Sequence, residues 1–345
     1  MLNRTLIIVL NWNGTEDTLA CLESLSNIKD TKFDILLIDN NSEPHQFNLL
    51  KDNILYPNCQ SHSFILQDYG SFFSSINYYI HNEIKIFVAR AKDNYGFARS
   101  CNFGAELAHQ NHYKYILFLN NDTVVEDDFL SKMLEALNIN KADGVIPQIR
   151  FESQREIIWN CGGKIDKFGR RKYFYDNKNI NEFSFPAEFI DVSFVTGCCL
   201  LFKTDYFIKI GKFSERFFFG EEDIELSLRL LRLNSKLICD TRALIYHKVG
   251  ASIQGDGVKH VRKAYIHYLN RYVNMKISLG LWWPLWLVPS SLKVIKNLIF
   301  INKISFGESL VFLKCLIVDS VKSNSVSKEK FERLLSIGYK TKGDI

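Results

Sequence analysis

Asp122 closes the run Phe118-Leu-Asn-Asn-Asp122, directly after an apolar segment of β type. A carboxylate at a strand end can hold Mg²⁺ or Mn²⁺, and the cation in turn grips a diphosphate. An Asp there also serves as a turn former or helix cap, so the residue alone does not decide. Glu221, Glu222 and Asp223 stand together ahead of Ile224-Glu-Leu226. Acidic side chains at a helix start complement the helix dipole. The same carboxylates can take a proton from an attacking hydroxyl. His247 sits in Tyr-His-Lys-Val-Gly-Ala-Ser. It is of the commonest metal-ligand type, though a lone His is more often structural. Asp39, in Ile-Asp-Asn-Asn-Ser, suits either a turn or hydrogen bonds from a base imide or a ribose. No GxGxxG follows the first apolar run, and no GxxxxGK with Ser or Thr occurs anywhere. The first loop offers Asn11, Asn13 and Gly14 instead. This argues against a dinucleotide or P-loop enzyme and leaves carboxylates and a metal to handle phosphate.

These residues need a scaffold, and the hydrophobic pattern supplies one. Thr5 to Leu10, Phe33 to Ile38, Ile84 to Ala89 and Tyr115 to Leu119 read as buried strands. They end in Asn11-Trp-Asn-Gly14, Asp39-Asn-Asn-Ser42, Asp93-Asn-Tyr-Gly96 and Asn120-Asn-Asp122 respectively. Helical spacing follows over 15–27 (Leu19, Leu22, Leu25) and over 97–110. Strand, polar loop and helix thus alternate as in a mostly parallel α/β sheet flanked by helices. In such sheets ligands bind beyond the carboxyl ends of the strands, where the polar clusters fall. Residues 52–83 exceed one crossover and read as an insertion rich in Tyr and Phe. Beyond 143 the spacing predicts a strand over 145–150, loops and hairpins over 151–190 and an apolar run over 192–202. A helix over 221–233 and short strands at 237–239 and 243–246 follow.

The 345 residues, 47% of them hydrophobic and with only 6 Pro, exclude a disordered chain and allow one large domain or two. The eight cysteines form no CxxC and no zinc spacing, which reads as buried or free thiols in a reducing compartment. The N-terminus lacks the form of a signal peptide. The net charge of +5 hides an asymmetry: residues 257–345 hold 15 basic and 5 acidic side chains. Between Asp256 and Glu308 there are eight Lys or Arg and no acid. Trp282, Trp283 and Trp286 lie in the same region, within an uncharged stretch of sixteen residues from Ile277 to Leu292. That is short of the roughly 20 residues a spanning helix needs. Pro284, Pro289, Lys293 and Lys296 point instead to helices lying in the interface of an anionic leaflet. A helical hairpin packed on the globular part is the alternative. Nucleic acid is disfavoured, because the apolar residues form blocks and are not interleaved with the charges.

Taken in order, the motifs Val9–Gly14, Leu37–Ser42, Asn94–Asn102, Phe118–Asp122, Thr196-Gly197, Phe219–Leu226 and His247–Ser252 give a wider reading. The chain resembles the inverting nucleotide-sugar glycosyltransferases of family 2, with a GT-A fold, over residues 4–275. It looks closest to their rhamnosyltransferase-like branch. The resemblance implies a GT-A catalytic domain over 1–256, with a donor half over about 1–125 and an acceptor half over about 126–256. Residues 257–345 would form a helical, membrane-associated extension. It implies a donor site of Asn11, Asn13, Asp39, Asn94, Gly96, Asn102, Asn120, Asn121 and Asp122. The family's Asp-x-Asp is Asn120-Asn121-Asp122 here, so Mg²⁺ or Mn²⁺ would rest on Asp122 with help from His247. The base would be Asp223, with Glu222 as the neighbouring candidate. The donor would be dTDP-rhamnose or a UDP-hexose. The acceptor would be a hydroxyl of a growing bacterial surface glycan, of the kind linked to a lipid diphosphate, reached peripherally on the cytoplasmic face of the plasma membrane. Tyr268-Leu-Asn-Arg-Tyr272 resembles the segment that precedes the membrane-proximal helices of this branch. Two rivals remain. A nucleotidyltransferase normally carries a basic, Gly-rich first loop, which Asn11-Trp-Asn-Gly14 is not. A non-catalytic nucleotide-sugar-binding scaffold would have no need of Asp122, Glu222, Asp223 and His247 together.

Overall fold

Alternating apolar residues place the two faces of each central strand in different cores. The computed structural model describes residues 2–29, 31–54, 62–63, 71–81, 84–249 and 257–339. In chain order its first half contains β1 (Leu2–Asn11), α1 (Thr15–Ser26), β2 (Phe33–Asp39), α2 (Pro44–Ile54), β3 (His62–Ser63), β4 (Phe73–His81), β5 (Ile84–Ala91), α3 (Gly96–Gln110), β6 (Tyr113–Asn120) and β7 (Thr123–Val125). There follow α4 (Phe129–Ile139), β8 (Gly144–Phe151), β9 (Ile158–Asn160), β10 (Gly163–Ile165), β11 (Arg171–Tyr173), β12 (Phe189–Val192), β13 (Cys199–Lys203), α5 (Thr204–Lys209), α6 (Glu222–Arg232) and β14 (Leu237–His247). The C-terminal part is helical: α7 (Gly257–Leu279), a 3₁₀ turn (Gly280–Trp282), α8 (Trp283–Phe300), α9 (Phe306–Lys322) and α10 (Lys328–Ser336).

One mixed sheet runs in the order β12-β14-β8-β13-β6-β1-β2-β5-β4-β3. Its centre is parallel: β1 pairs with β2 and β6, and β2 with β5. This is the parallel sheet expected from the four strand-loop-helix units. Outside it, β4 turns back antiparallel on β5, and β13 runs antiparallel between β6 and β8. Ile7, Val9, Ile35 and Leu37 pack towards α1, α2 and α4, through Leu22, Leu50 and Met133. Leu6, Ile8, Leu36 and Ile38 pack towards α3, α5 and α6, through Ala105, Phe207 and Leu226. Helices therefore cover both faces, and the strand interiors read as unbroken apolar runs because no face meets water.

Two expectations change in detail. The short strands at 237–239 and 243–246 are one strand, β14, whose pairing with β8 shifts between Asp240 and Leu244. Arg242 donates to both carboxylate oxygens of Asp240 across that irregularity. The insertion over 52–83 holds the end of α2 and the short strand β3, and β4 within it extends the sheet beyond β5. Residues 55–61, 64–70 and 82–83 of it lie outside the described residues. The seven described cysteines are buried and free.

The C-terminal helices share cores with the sheet domain. Tyr265, Leu269, Tyr272, Phe312 and Leu316 form a cluster that includes Phe217. Met275 and Trp283 join Ile165, Phe194, Ile224 and Leu228 in another. Phe218 N–H donates to Val326 O (2.9 Å) and Val326 N–H to Arg216 O (2.8 Å), so the loop before α6 pairs with the linker between α9 and α10.

Candidate active site

The loops after β1 and β2 hold one another through polar side chains. Asn11 is wholly buried. Its Nδ2 donates to Asp39 Oδ1 (2.9 Å), and its Oδ1 accepts from Gly14 N–H (3.1 Å) and Thr18 Oγ1 (3.0 Å). Asp39, also buried, accepts at Oδ2 from Ser42 N–H (3.1 Å). Arg90 Nε lies 3.8 Å from the same oxygen. Asn13 is exposed, in the left-handed region with φ 55°, and its Oδ1 accepts from Glu43 N–H (2.8 Å). The donor residues expected here thus meet at the carboxyl ends of β1 and β2. Asn11 acts by shaping the loop, since its own polar atoms are engaged.

The loop after β5 is tied to the loop after β2 by Asn40, a residue whose role the sequence left unassigned. Asn40 Nδ2 donates to Asn94 Oδ1 (2.7 Å), and its Oδ1 accepts from Tyr95 N–H and Ser100 Oγ (each 3.0 Å). Gly96 opens α3 with φ +78°, and a Cβ there would stand 2.2 Å from Phe218 O. Glycine is required both for that dihedral and for the close approach. Asn102 lies deeper. It donates to Phe213 O and Glu215 Oε1 (both 2.9 Å) and accepts from Phe213 N–H (2.8 Å). It therefore fastens α3 to the loop that leads to α6. Asn121 Nδ2 donates to Thr18 Oγ1 (2.9 Å), bracing the first loop, while the partly buried Asn120 side chain sits beside it at the end of β6.

Asp122 and His247 meet because β7 pairs antiparallel with β14, setting His247 opposite Thr123. His247 Nε2 is 3.0 Å from Asp122 Oδ1, and that oxygen is buried with no hydrogen bond of its own. The Trp159 ring, 4.6 Å from the imidazole centroid, fixes the ring's position. Burial disfavours charge on this imidazole, but Cys198 and Asp122 beside it raise its pKa to about 10. Adjacent ligands of an octahedral cation with bonds of about 2.1 Å stand about 3 Å apart. The two atoms stand at that spacing, so a shared Mg²⁺ or Mn²⁺ would fit them once Nε2 gives up its proton to the cation. Among the described residues no cluster of three or more His, Cys, Asp or Glu side chains could hold a metal. Most of the coordination would come from water and a bound diphosphate, as is usual for such cations.

Glu222 and Asp223 open α6. Both are partly accessible yet surrounded by protein on most sides, with Arg171 of β11 and Arg271 of α7 nearby. Burial, together with the negative charge of Asp223, pushes the Glu222 carboxyl up to about 8. Burial also raises Asp223, and Arg171 and Arg271 pull it back. The first group is thereby held protonated near neutral pH; the second is raised overall by burial, but it is the one of the pair with two arginines opposing that shift. Ser227 Oγ accepts from Val195 N–H (3.1 Å) and donates to Asp223 O (2.7 Å), locking the first turn to the strand side. Arg171 and Arg271 are the residues that sequence reasoning missed. Arg271 lay in the singled-out Tyr268–Tyr272 segment; Arg171, in a hairpin remote in sequence, had no local signal. Residues 250–252 of the His247–Ser252 motif lie outside the described residues.

Residues 74–211 match the family model "Glycosyl transferase family 2". No curated protein matches the chain. A crystal structure of GalNAc-T7 with UDP, GalNAc and Mn²⁺ is similar over 98% of this chain, at 14% identity and a TM-score of 0.57. The match spans 58% of the GalNAc-T7 chain, so this protein covers little more than half of that relative's length. A crystal structure of S. aureus TarS 1-349 is similar over 96% of this chain and 83% of its own, at 11% identity and a TM-score of 0.52. At these identities the likeness is one of fold. The chain thus carries, across residues 74–211, a match to glycosyltransferase family 2 within a GT-A-type mixed α/β fold.

Proposed function

We propose that this protein is a glycosyltransferase that moves a sugar from a nucleoside diphosphate to an acceptor hydroxyl, with inversion, in one displacement. The observation that carries the reading is the presence of two carboxylate sites, one at the ends of β6 and β14 and one at the start of α6. Asp122 and His247 lie beyond β6 and β14. Glu222 and Asp223 lie beside the start of α3, where Gly96 touches Phe218 and Cys101 feels the charge of Glu222.

In this reading the loops held by Asn11, Asp39, Asn40 and Asn94 receive the nucleoside. Asp122 and His247 would hold Mg²⁺ or Mn²⁺, and a cation there would supply positive charge to offset the negative charge on the departing diphosphate. Asp223, the member of the pair with Arg171 and Arg271 beside it, accepts the acceptor's proton as the hydroxyl attacks the anomeric carbon. Glu222 keeps its proton and can donate a hydrogen bond to the acceptor or the donor sugar. Positioning and charge placement supply the rate, with no covalent intermediate. The donors to be tried are dTDP-rhamnose and UDP-hexoses, and the acceptor is a surface-glycan hydroxyl on a lipid diphosphate.

The outer face of the C-terminal helices supports a peripheral membrane location on the cytoplasmic leaflet. Leu281 is 97% exposed, and Trp282, Leu285, Val288, Leu292, Phe300 and Ile301 are each more than 60% exposed. Lys293, Lys296 and Lys303 stand exposed among them. Among the described residues no helix is long and apolar enough to cross a membrane.

The test is release of nucleoside diphosphate from a panel of nucleotide sugars, with Mn²⁺ and with EDTA, in the presence of bacterial lipid-linked glycan fractions. Metal-dependent release of UDP or dTDP with transfer to the fraction is expected. Release of pyrophosphate from a nucleoside triphosphate and a sugar phosphate would mark a nucleotidyltransferase. Binding without consumption under every condition would mark a scaffold.

A further inference from the structure

The loop that delivers Glu222 and Asp223 is held in an unfavourable conformation by a helix from the C-terminal part. Gly220 and Glu221 both have positive φ, +80° and +76°, and Glu221 is not a glycine. A non-glycine residue in this region is unfavourable and persists only where its surroundings enforce it. Glu221 is the N-cap of α6: its carbonyl accepts from Glu225 N–H (2.9 Å), yet its side chain makes no cap bond. The carboxylate turns away from α6 into the protein, where it is fully buried. There it meets α7. Asn274 Nδ2 donates to Glu221 Oε1 (2.9 Å), and Arg271 Nε lies 3.2 Å from the same oxygen. Asn270, on the same side of α7, donates from Nδ2 to Phe219 O (2.8 Å).

Three polar side chains of one helix therefore grip two residues of the turn, Phe219 and Glu221, on either side of Gly220. A buried carboxylate without such partners would be strongly unfavourable. The pairing gives Oε1 of Glu221 its partners in the left-handed turn, while Oε2 is buried without one, and α6 starts immediately after the turn. We propose that Arg271, supported by Asn270 and Asn274, is a positioning residue of this loop, holding Glu221 so that Glu222 and Asp223 face the acceptor.

The proposal rests on the transferase reading of Asp223 and adds that the C-terminal helices are part of the catalytic apparatus. The charged and titratable groups facing Asp223 are Arg171 and Tyr173 from β11, Arg271 from α7, and Glu221 and Glu222 from its own loop. His267 of α7, exposed at its surface, lies near Arg271 and Arg171, and partial desolvation and those charges lower its pKa. Removing Arg271 removes a positive neighbour from Asp223, and removing the charge of Glu221 removes a negative one. The two changes must move Asp223 in opposite directions.

The experiment uses the full chain and the variants Arg271→Gln, Arg271→Lys and Glu221→Gln. Turnover is read as UDP or dTDP released from UDP-glucose, UDP-galactose and dTDP-rhamnose with Mn²⁺, across pH. Misplacing a reacting group by an ångström costs up to about 10²-fold, so Arg271→Gln should lower kcat by about 10–100-fold. Its donor KM should stay within about twofold, because the donor loops are untouched. The acid limb of its kcat profile should rise by about half a pH unit or more, and that of Glu221→Gln should fall. Arg271→Lys keeps the charge and should restore the limb but only part of kcat, since lysine lacks the fixed donor geometry. Wild-type kcat in Arg271→Gln, or acid limbs that move in the same direction or not at all, overturns the proposal. If Arg271→Gln does not fold, the limb of Glu221→Gln decides. Asp223→Asn separates the two readings. Loss of turnover in Asp223→Asn with a wild-type Arg271→Gln overturns only this inference. Wild-type turnover in Asp223→Asn overturns the base assignment beneath it.

Discussion

At the scale of single residues, the carboxyl pair at the start of α6 divides its labour by environment. Glu222 faces Cys101 and the charge of Asp223, while Asp223 has the two arginines near it. A general base contributes typically about 10²–10⁴-fold. Asp223→Asn is expected to lower kcat by that factor while UDP with Mn²⁺ still raises the melting temperature. Turnover within about tenfold of wild type would remove Asp223 from the role. Glu222 gives a second handle through stability. Its folded-state pKa is raised from 4.5 to about 8. The folded protein therefore holds a proton that the unfolded chain releases, and stability from this site is complete below pH 4.5 and lost as pH rises through about 8. Glu222→Gln abolishes that loss. Thermal melts should show the variant gaining on wild type between pH 5 and pH 9, and parallel melting curves across that range would contradict the raised pKa.

At the scale of elements, the start of α3 is the joint between the loops after β2 and β5 and the loop that opens α6. Asn102 ties α3 to Phe213 and Glu215, and Gly96 lies against Phe218. Gly96→Ala places a methyl 2.2 Å from Phe218 O at a φ of +78°. The expected loss of stability is about 1–3 kcal/mol, read from urea midpoints. A change below about 0.5 kcal/mol would mean the joint yields easily. The same contact explains why Asn94-Tyr-Gly-Phe reads as a motif: Asn94 engages Asn40, and Gly96 admits the loop that opens α6.

At the scale of the whole molecule, the C-terminal helices have two faces with different tasks. The inner face buries Tyr265, Leu269, Tyr272 and Met275 and bonds Phe219 and Glu221 in the loop before α6. The outer face presents Leu285, Val288 and Leu292 beside Lys293 and Lys296. Deleting the helices would expose the first while testing the second, so substitution on the outer face is the cleaner probe. The protein should cosediment with vesicles containing phosphatidylglycerol, more weakly at high salt. Combined Leu285→Glu, Val288→Glu and Leu292→Glu should abolish this without altering the melting temperature. Undiminished cosedimentation of the triple variant would exclude this face as the anchor.

The sequence by itself determined the parallel core and the polar loops at its carboxyl ends. Unbroken apolar runs bounded by polar clusters encode buried strands and their carboxyl-end loops through local preference alone. Asp122, His247, Glu222 and Asp223 were legible for a related reason: each lies at the end of a strand or the start of a helix that the pattern marks. The supports of those residues were not legible. Arg171 reaches Asp223 from a short hairpin, Asn102 reaches Glu215 across 113 positions, and Arg271 reaches Glu221 from a helix 50 positions later. Such contacts depend on how elements pack, and no periodicity or spacing along the chain records them. The left-handed turn at Glu221 is the clearest instance. Local preference disfavours it, and only the buried partners on α7 make it the lower state.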